Sequence, residues 1–298
     1  MLNFDFGQIA SAEFGIGRDN GQGRTYSLIS VDGEVQDSLA EMASGTWNAM
    51  RGMTKEPPQY EPSEKYASQE YVFLPLANVL GERMRELHTA NNILIDGQAL
   101  SEPMKIFCYF ARFTDRQGQR LTALRRATQF KGVLKSRLLR FDTDALKIVK
   151  DKVFKLDTNF DILIDAQAVH VLRPSGFEFV GQLQDAVLSA VPSNVQSIQA
   201  ELTFVDFASI EGYASAHPRA ARYLASIRSQ KGIKNIDRNR LQRLCAATGV
   251  DLADIDGNLI VHEKHVMGFL EVLDRRRYEI ELVADSPEKF RAASRIKI

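Results

Sequence analysis

Three aspartates spaced four residues apart, Asp157, Asp161 and Asp165, are the first group in the sequence that could do chemistry. Carboxylates gathered closely can hold a divalent metal, and a chain that holds one beside a phosphodiester can act as a nuclease. The residues between them, Phe160-Asp161-Ile162-Leu163-Ile164, have the character of a strand, so the competing reading is carboxylates at turns and strand edges. No lysine has Asp or Glu two positions before it, an arrangement common in restriction-like nucleases. His262-Glu263-Lys264-His265 sets its histidines at i, i+3, one residue short of a metalloprotease box, and no third ligand is evident. There is no Walker-type loop, no dinucleotide fingerprint at Gly15-Ile16-Gly17 and no Gly-x-Ser-x-Gly elbow. The sequence therefore points to no catalytic residue, no metal and no other cofactor.

The basic residues carry a stronger signal. The 298 residues hold 38 Lys+Arg and 38 Asp+Glu, so the net charge is zero. Between 105 and 140 there are ten basic residues and one acid, Asp115, a balance of +9. Between 217 and 243 there are eight basic residues and one acid, Asp237, a balance of +7. Acidic stretches compensate: −4 over residues 1–60 and −6 over 153–211. One reading is an anionic partner, DNA, gripped by Arg125, Arg126, Lys131, Lys135, Arg137 and Arg140 of the first block and by Arg222, Arg228, Lys231, Lys234, Arg240 and Arg243 of the second. Another is that basic and acidic segments pair inside the fold. A third is a scaffold whose basic blocks bind acidic partner proteins or lipid headgroups. The charge pattern leaves all three open.

Stepping at 100° per residue, a helix over 238–248 puts Leu241, Leu244, Cys245 and Thr248 on one side and turns Arg240 and Arg243 away. A helix over 218–229 buries Ala220, Tyr223, Leu224 and Ile227 and directs Arg222 to solvent. Helices are also predicted over 35–50, near 79–87, over 176–190, near 206–216 and 266–273, and over 129–141. Strands are predicted at 24–31, 71–74, 104–113, 121–128, 153–156, 160–164, 169–172, 202–205 and 278–283. Ile106–Phe110 is an unbroken apolar run, which implies a strand covered on both faces. Residues 1–23, with five glycines, read as a flexible segment. Lobes follow at 24–150, carrying the basic hairpin, and at 151–298. The fold class is α+β, an antiparallel or mixed sheet with a helix-rich C-terminal part. No stretch reaches the ~18 apolar residues of a membrane span, the N-terminus lacks a basic signal-peptide region, and the two cysteines suit a reducing cytosol.

Leu121-Thr122-Ala123-Leu124-Arg125-Arg126, Asn159-Phe160-Asp161, Val169-His170-Val171-Leu172, Gly176-Phe177-Glu178-Phe179, Tyr278-Glu279-Ile280 and Ser294-Arg295-Ile296-Lys297 together resemble the KwaB family of Kiwa antiviral defence systems, from about residue 70 onward. The resemblance implies a cytoplasmic DNA-binding effector. It would work with a transmembrane sensor, KwaA-like, that recruits it to the inner face of the membrane, and would block phage replication and late gene expression. A homo-oligomer is expected. DNA contact itself rests on the basic blocks, as phosphate binding largely without sequence specificity.

Overall fold

The computed structural model describes residues 2–54, 56–66, 70–97, 105–127, 139–142, 145–148, 155–230, 232–280 and 286–292, with backbone alone for 139–142 and 145–148. The chain forms two compact units. The first comprises residues 1–60 and 66–182, the second residues 61–65 and 183–298.

The first unit is built on β1 (Ile9–Asp19), β2 (Arg24–Ile29), α1 (Gly33–Met53), β3 (Val72–Pro75), α2 (Glu82–Thr89), β4 (Ile106–Asp115), β5 (Arg120–Arg126), β6 (Leu139–Asp142), β7 (Ala145–Ile148), β8 (Ile162–Ile164), β9 (Ala168–Val171) and α3 (Pro174–Gly181). Seven strands make one sheet in the order β2-β1-β4-β5-β8-β9-β3, antiparallel throughout. β6 and β7 form a separate hairpin, so residues 139–141 are strand rather than the end of a helix. α1 starts at Asp32, whose carboxylate caps the Val35 N–H, and lays Leu39, Met42, Ala43 and Met50 on the sheet face made by Phe14, Ile16, Tyr109, Ala111 and Phe113. α2 lies on the opposite face, where His88 reaches Thr122. β4 is thus covered on both sides, as its apolar run implies.

The N-terminal segment corrects the sequence reading. Residues 9–19 are an eleven-residue strand inside the sheet, not a flexible arm. Gly15 and Gly17 sit on one strand face, paired with Phe110 and Cys108. A Cβ on Gly15 would lie 2.2 Å from the Phe110 ring, and one on Gly17 2.5 Å from the Cys108 sulfur. Their missing side chains make room for the rings of β4. Gly21 (φ +78°) supplies the left-handed conformation of the β1–β2 turn. The boundary also moves. The lobes meet at 182/183 instead of near 150, because β8 pairs with β5 and β9 extends the sheet to β3. The predicted helix over 176–190 breaks at Gln182 (φ 55°), and Val79, expected to start a helix with its side chain packed inward, is exposed. Of the strand expected at 153–156, residues 153 and 154 lie outside the described residues, and 155 and 156 are not in a strand.

The second unit contains α4 (Gln184–Ser189), α5 (Val191–Glu201), β10 (Val205–Asp206), α6 (Ala208–Ala216), α7 (Pro218–Arg228), α8 (Arg238–Ala247), β11 (Leu252–Ile255), β12 (Asn258–Val261), α9 (Val266–Leu273), β13 (Arg277–Ile280) and β14 (Glu288–Arg291). Its core gathers Val195, Ile198, Phe207, Leu224, Ile227, Leu241, Phe269 and Leu270 from the helices around a small mixed sheet, β10-β12-β11. An antiparallel main sheet with helices concentrated in the C-terminal half is the α+β class expected. Among the described residues no helix is long and apolar enough to cross a membrane.

Candidate nucleic-acid interface

The first basic block begins on the β4–β5 hairpin. Its strands are nearly wholly buried, so most of their arginines find partners within the unit. Arg112 meets Glu13 at 2.8 Å, and Arg120 donates to the His88 carbonyl and to Asn91. Arg125 is 8% exposed. Its Nε lies 3.0 Å from Asp157 and its Nη1 2.5 Å from Asp161. Burial opposes the charge of this guanidinium, yet Asp161 and Asp157 raise its pKa above the ordinary value. Arg126 is half-buried, with its guanidinium 3.9 Å from the centre of the Phe179 ring. Lys131, Lys135 and Arg137 lie outside the described residues, and Arg140 is on β6 with only its backbone described.

The three aspartates do not converge on a vacant centre. Asp161 accepts from Arg125, from Arg173 at 3.1 Å and from the Arg126 N–H at 2.8 Å, and Gly176 presses close to its carboxylate. Asp157 accepts from Arg125 and from the Tyr109 hydroxyl at 2.9 Å. Asp165 belongs to another group: it accepts from the N–H groups of Gln167 and Ala168 and faces His170 at 3.5 Å, whose other ring nitrogen meets the Tyr71 hydroxyl. Burial pushes the Asp165 carboxyl up, but His170 and the two N–H groups hold it at about 2. Arg125 and Arg173 thus hold Oδ1 of Asp161, the Arg126 N–H holds its Oδ2, and Arg125 shares Oδ2 of Asp157 with Tyr109. Among the described residues no three His, Cys, Asp or Glu side chains are grouped to hold a metal. His265 of the His-x-x-His stretch points to Asp251, 3.2 Å away.

The second basic block divides. Three of its arginines are paired: Arg219 with Glu271, Arg228 with Glu64 and Arg238 with Asp254. Arg222 is half-buried on α7. Lys231 lies outside the described residues. Lys234, Arg240 and Arg243 are exposed and have no carboxylate partner among the described residues. α8 begins at Asp237, which caps the Arg240 N–H, and buries Leu241 and Cys245. Arg240 and Arg243 then turn outward, as the helix angle requires. Beside α7, Arg228 and Lys234 border a cavity of about 290 Å³ lined also by Ser197, Glu201, Gln230 and Gly232.

A cluster that sequence reasoning missed sits at the end of α9. Glu271, fully buried, is held by Arg277 at 2.9 Å and Arg291 at 2.5 Å, while Asp274 is held by Arg276 at 2.6 Å. Burial raises the Glu271 pKa, but the two arginines bring it below the ordinary value. The only hint in the sequence was Arg275-Arg276-Arg277, which gives no sign that two of its three members face buried acids.

Residues 104–282 match the model of a protein family described as KwaB, Kiwa protein KwaB-like. No curated protein and no solved structure matches the chain.

Proposed function

The chain belongs to the KwaB-like family of Kiwa proteins, which makes it a component of a Kiwa antiphage defence system, and from that premise we propose that it binds DNA through phosphate contacts largely independent of sequence. The observation that carries this reading is the outer side of α8, where Arg240 and Arg243 stand exposed beside a buried apolar face. Arginines of this kind neutralise phosphates, release counterions and supply most of non-specific affinity. Lys234, Arg222 and Arg228 extend the surface within the second unit, and for the first unit the same reading assigns phosphate contacts to Arg126, Lys131, Lys135, Arg137 and Arg140. Arg125 takes no part, because its guanidinium is held by two carboxylates. Binding of this kind blocks phage replication and transcription by occupying the template. In the same reading the protein works in the cytoplasm as a homo-oligomer, recruited to the membrane by a KwaA-like transmembrane sensor.

The test is retardation of double-stranded DNA by the parent and by the R240E/R243E variant, in chelator and over a range of salt. If five to eight phosphates are neutralised, log affinity falls against log salt with a slope of roughly −4 to −7. The variant is expected to bind at least about tenfold more weakly, with its melting temperature unchanged. Equal affinity of parent and variant would show that α8 is only a solvated helix face. DNA breakdown that needs a divalent ion would replace binding with catalysis.

A further inference from the structure

Within the proposed surface, the guanidinium of Arg228 holds a carboxylate from a distant part of the sequence. Its partner is Glu64, 164 residues away, in the short segment 61–65 that belongs to the second unit. That segment is a tight turn around Pro62-Ser63, closed by the Glu64 N–H on the Glu61 carbonyl at 3.0 Å. The pair is not a buried knot like that of Glu271. The Arg228 side chain is 26% exposed and that of Glu64 39%, whereas the Glu271 carboxylate is 2% exposed. Half-exposed pairs are weak and exchange readily with other ions. Arg228 also borders the 290 Å³ cavity, whose wall adds the Lys234 ammonium and the polar groups of Ser197 and Gln230. A carboxylate and a phosphate oxygen pair are alternative ligands for the same guanidinium fork.

Resting on the DNA-binding reading, we propose that Glu64 stands in the place of a DNA phosphate at Arg228, so that DNA must displace it. The 61–65 turn is then a built-in competitor that keeps this part of the surface neutral until a phosphate backbone arrives. The cavity beside Arg228 and Lys234 receives the displacing phosphate, with the Glu201 carboxylate on its wall limiting how deep an anion can settle.

The experiment compares double-stranded DNA affinity of the parent, E64Q, R228Q and E64Q/R228Q at low salt, with E56Q as a control for general loss of negative charge. E64Q is expected to tighten binding about threefold, the size of one exposed ion pair. The gain should vanish in the R228Q background and be absent in E56Q. An E64K variant, in which charge repulsion lifts the turn from Arg228, should bind at least as tightly as E64Q. Melting temperatures of all variants establish that each is folded. If the parent retards DNA but E64Q and E64K bind no tighter, or if E64Q gains as much without Arg228, the competitor is overturned while DNA binding stands. If the parent fails to retard DNA, the underlying reading falls first.

Discussion

Asp161→Asn is the sharpest probe of what the first basic block does. Asp161 is 2% exposed, and both its oxygens are spoken for. Oδ1 accepts from Arg125 and Arg173, and Oδ2 accepts from the Arg126 N–H. An asparagine must place an NH2 group at one of these positions. In either orientation a donor then faces a donor, and the tight approach of Gly176 leaves no room to turn aside. Arg125 keeps Asp157, so its charge is not wholly abandoned. Removing one partner of a buried pair costs about 3–5 kcal/mol. The surviving Asp157 contact and the amide's remaining acceptor place the expected loss near the lower end, about 3 kcal/mol. For a unit of this size that lowers the melting temperature by roughly 6–12 °C. Chemical and thermal unfolding measure the loss, and DNA retardation per folded molecule measures function, which should not change. A loss below about 1 kcal/mol would refute the reading of Asp161 as a buried partner on which Arg125 and Arg173 depend. A full-strength fold combined with lost metal-dependent DNA breakdown would instead restore the aspartates as a catalytic group.

Two further outcomes follow from the sheet. His88 is buried against Thr122, and burial, then the Arg120 charge, lowers its pKa from 6.5 to about 4 against an opposing pull from Asp165. The folded state therefore refuses a proton that the unfolded chain takes up below about pH 6.5. This stability is present above pH 6.5 and drains away as the pH falls toward 4, so unfolding midpoints should decline through that window and flatten in His88→Gln. Gly15→Ala should cost about 1–3 kcal/mol by driving a methyl group into the Phe110 ring, while Gly23→Ala, with open space around it, should be near neutral. Urea midpoints of the two variants side by side check the difference.

Four helices of the second unit, α6 to α9, were legible because they are amphipathic and punctuated, whereas α5 (Val191–Glu201) was not expected. Pro218 opens α7, Asp237 caps α8, and Gly249 ends it with φ +75°. The outward turn of Arg240 and Arg243 followed from the helix angle alone. β4 was legible because five consecutive apolar residues leave few alternatives. β1 was not, because two of its positions are glycines chosen for what sits opposite them, and the residues opposite are on a strand far away in sequence. The β11–β12 hairpin escaped notice for a different reason: Leu252-Ala253-Asp254-Ile255 buries none of its residues fully and is too short to show a period. The partners of Arg125 were hidden in the same way as those of β1. A charge count sees an arginine in a basic run, while the register of β5 against β8 brings Asp161 beside it.

The same long-range register bears on how the chain folds during synthesis. The hairpin of β1 and β2 can close as soon as both have emerged, but Gly15 must wait for Phe110, 95 residues later, before the sheet can grow past it. At ~5–20 residues per second this leaves the edge of β1 without its neighbour for roughly 5–20 s. The apolar β4, with β5 behind it, then has to dock as a second hairpin across a strand that places glycines opposite Phe110 and Cys108. Joining two preformed hairpins through distant contacts is slow and leaves strand edges open to other chains in the meantime. Expression level and solubility should therefore respond to changes at Gly15 and Gly17 more steeply than the equilibrium stability of the finished protein does.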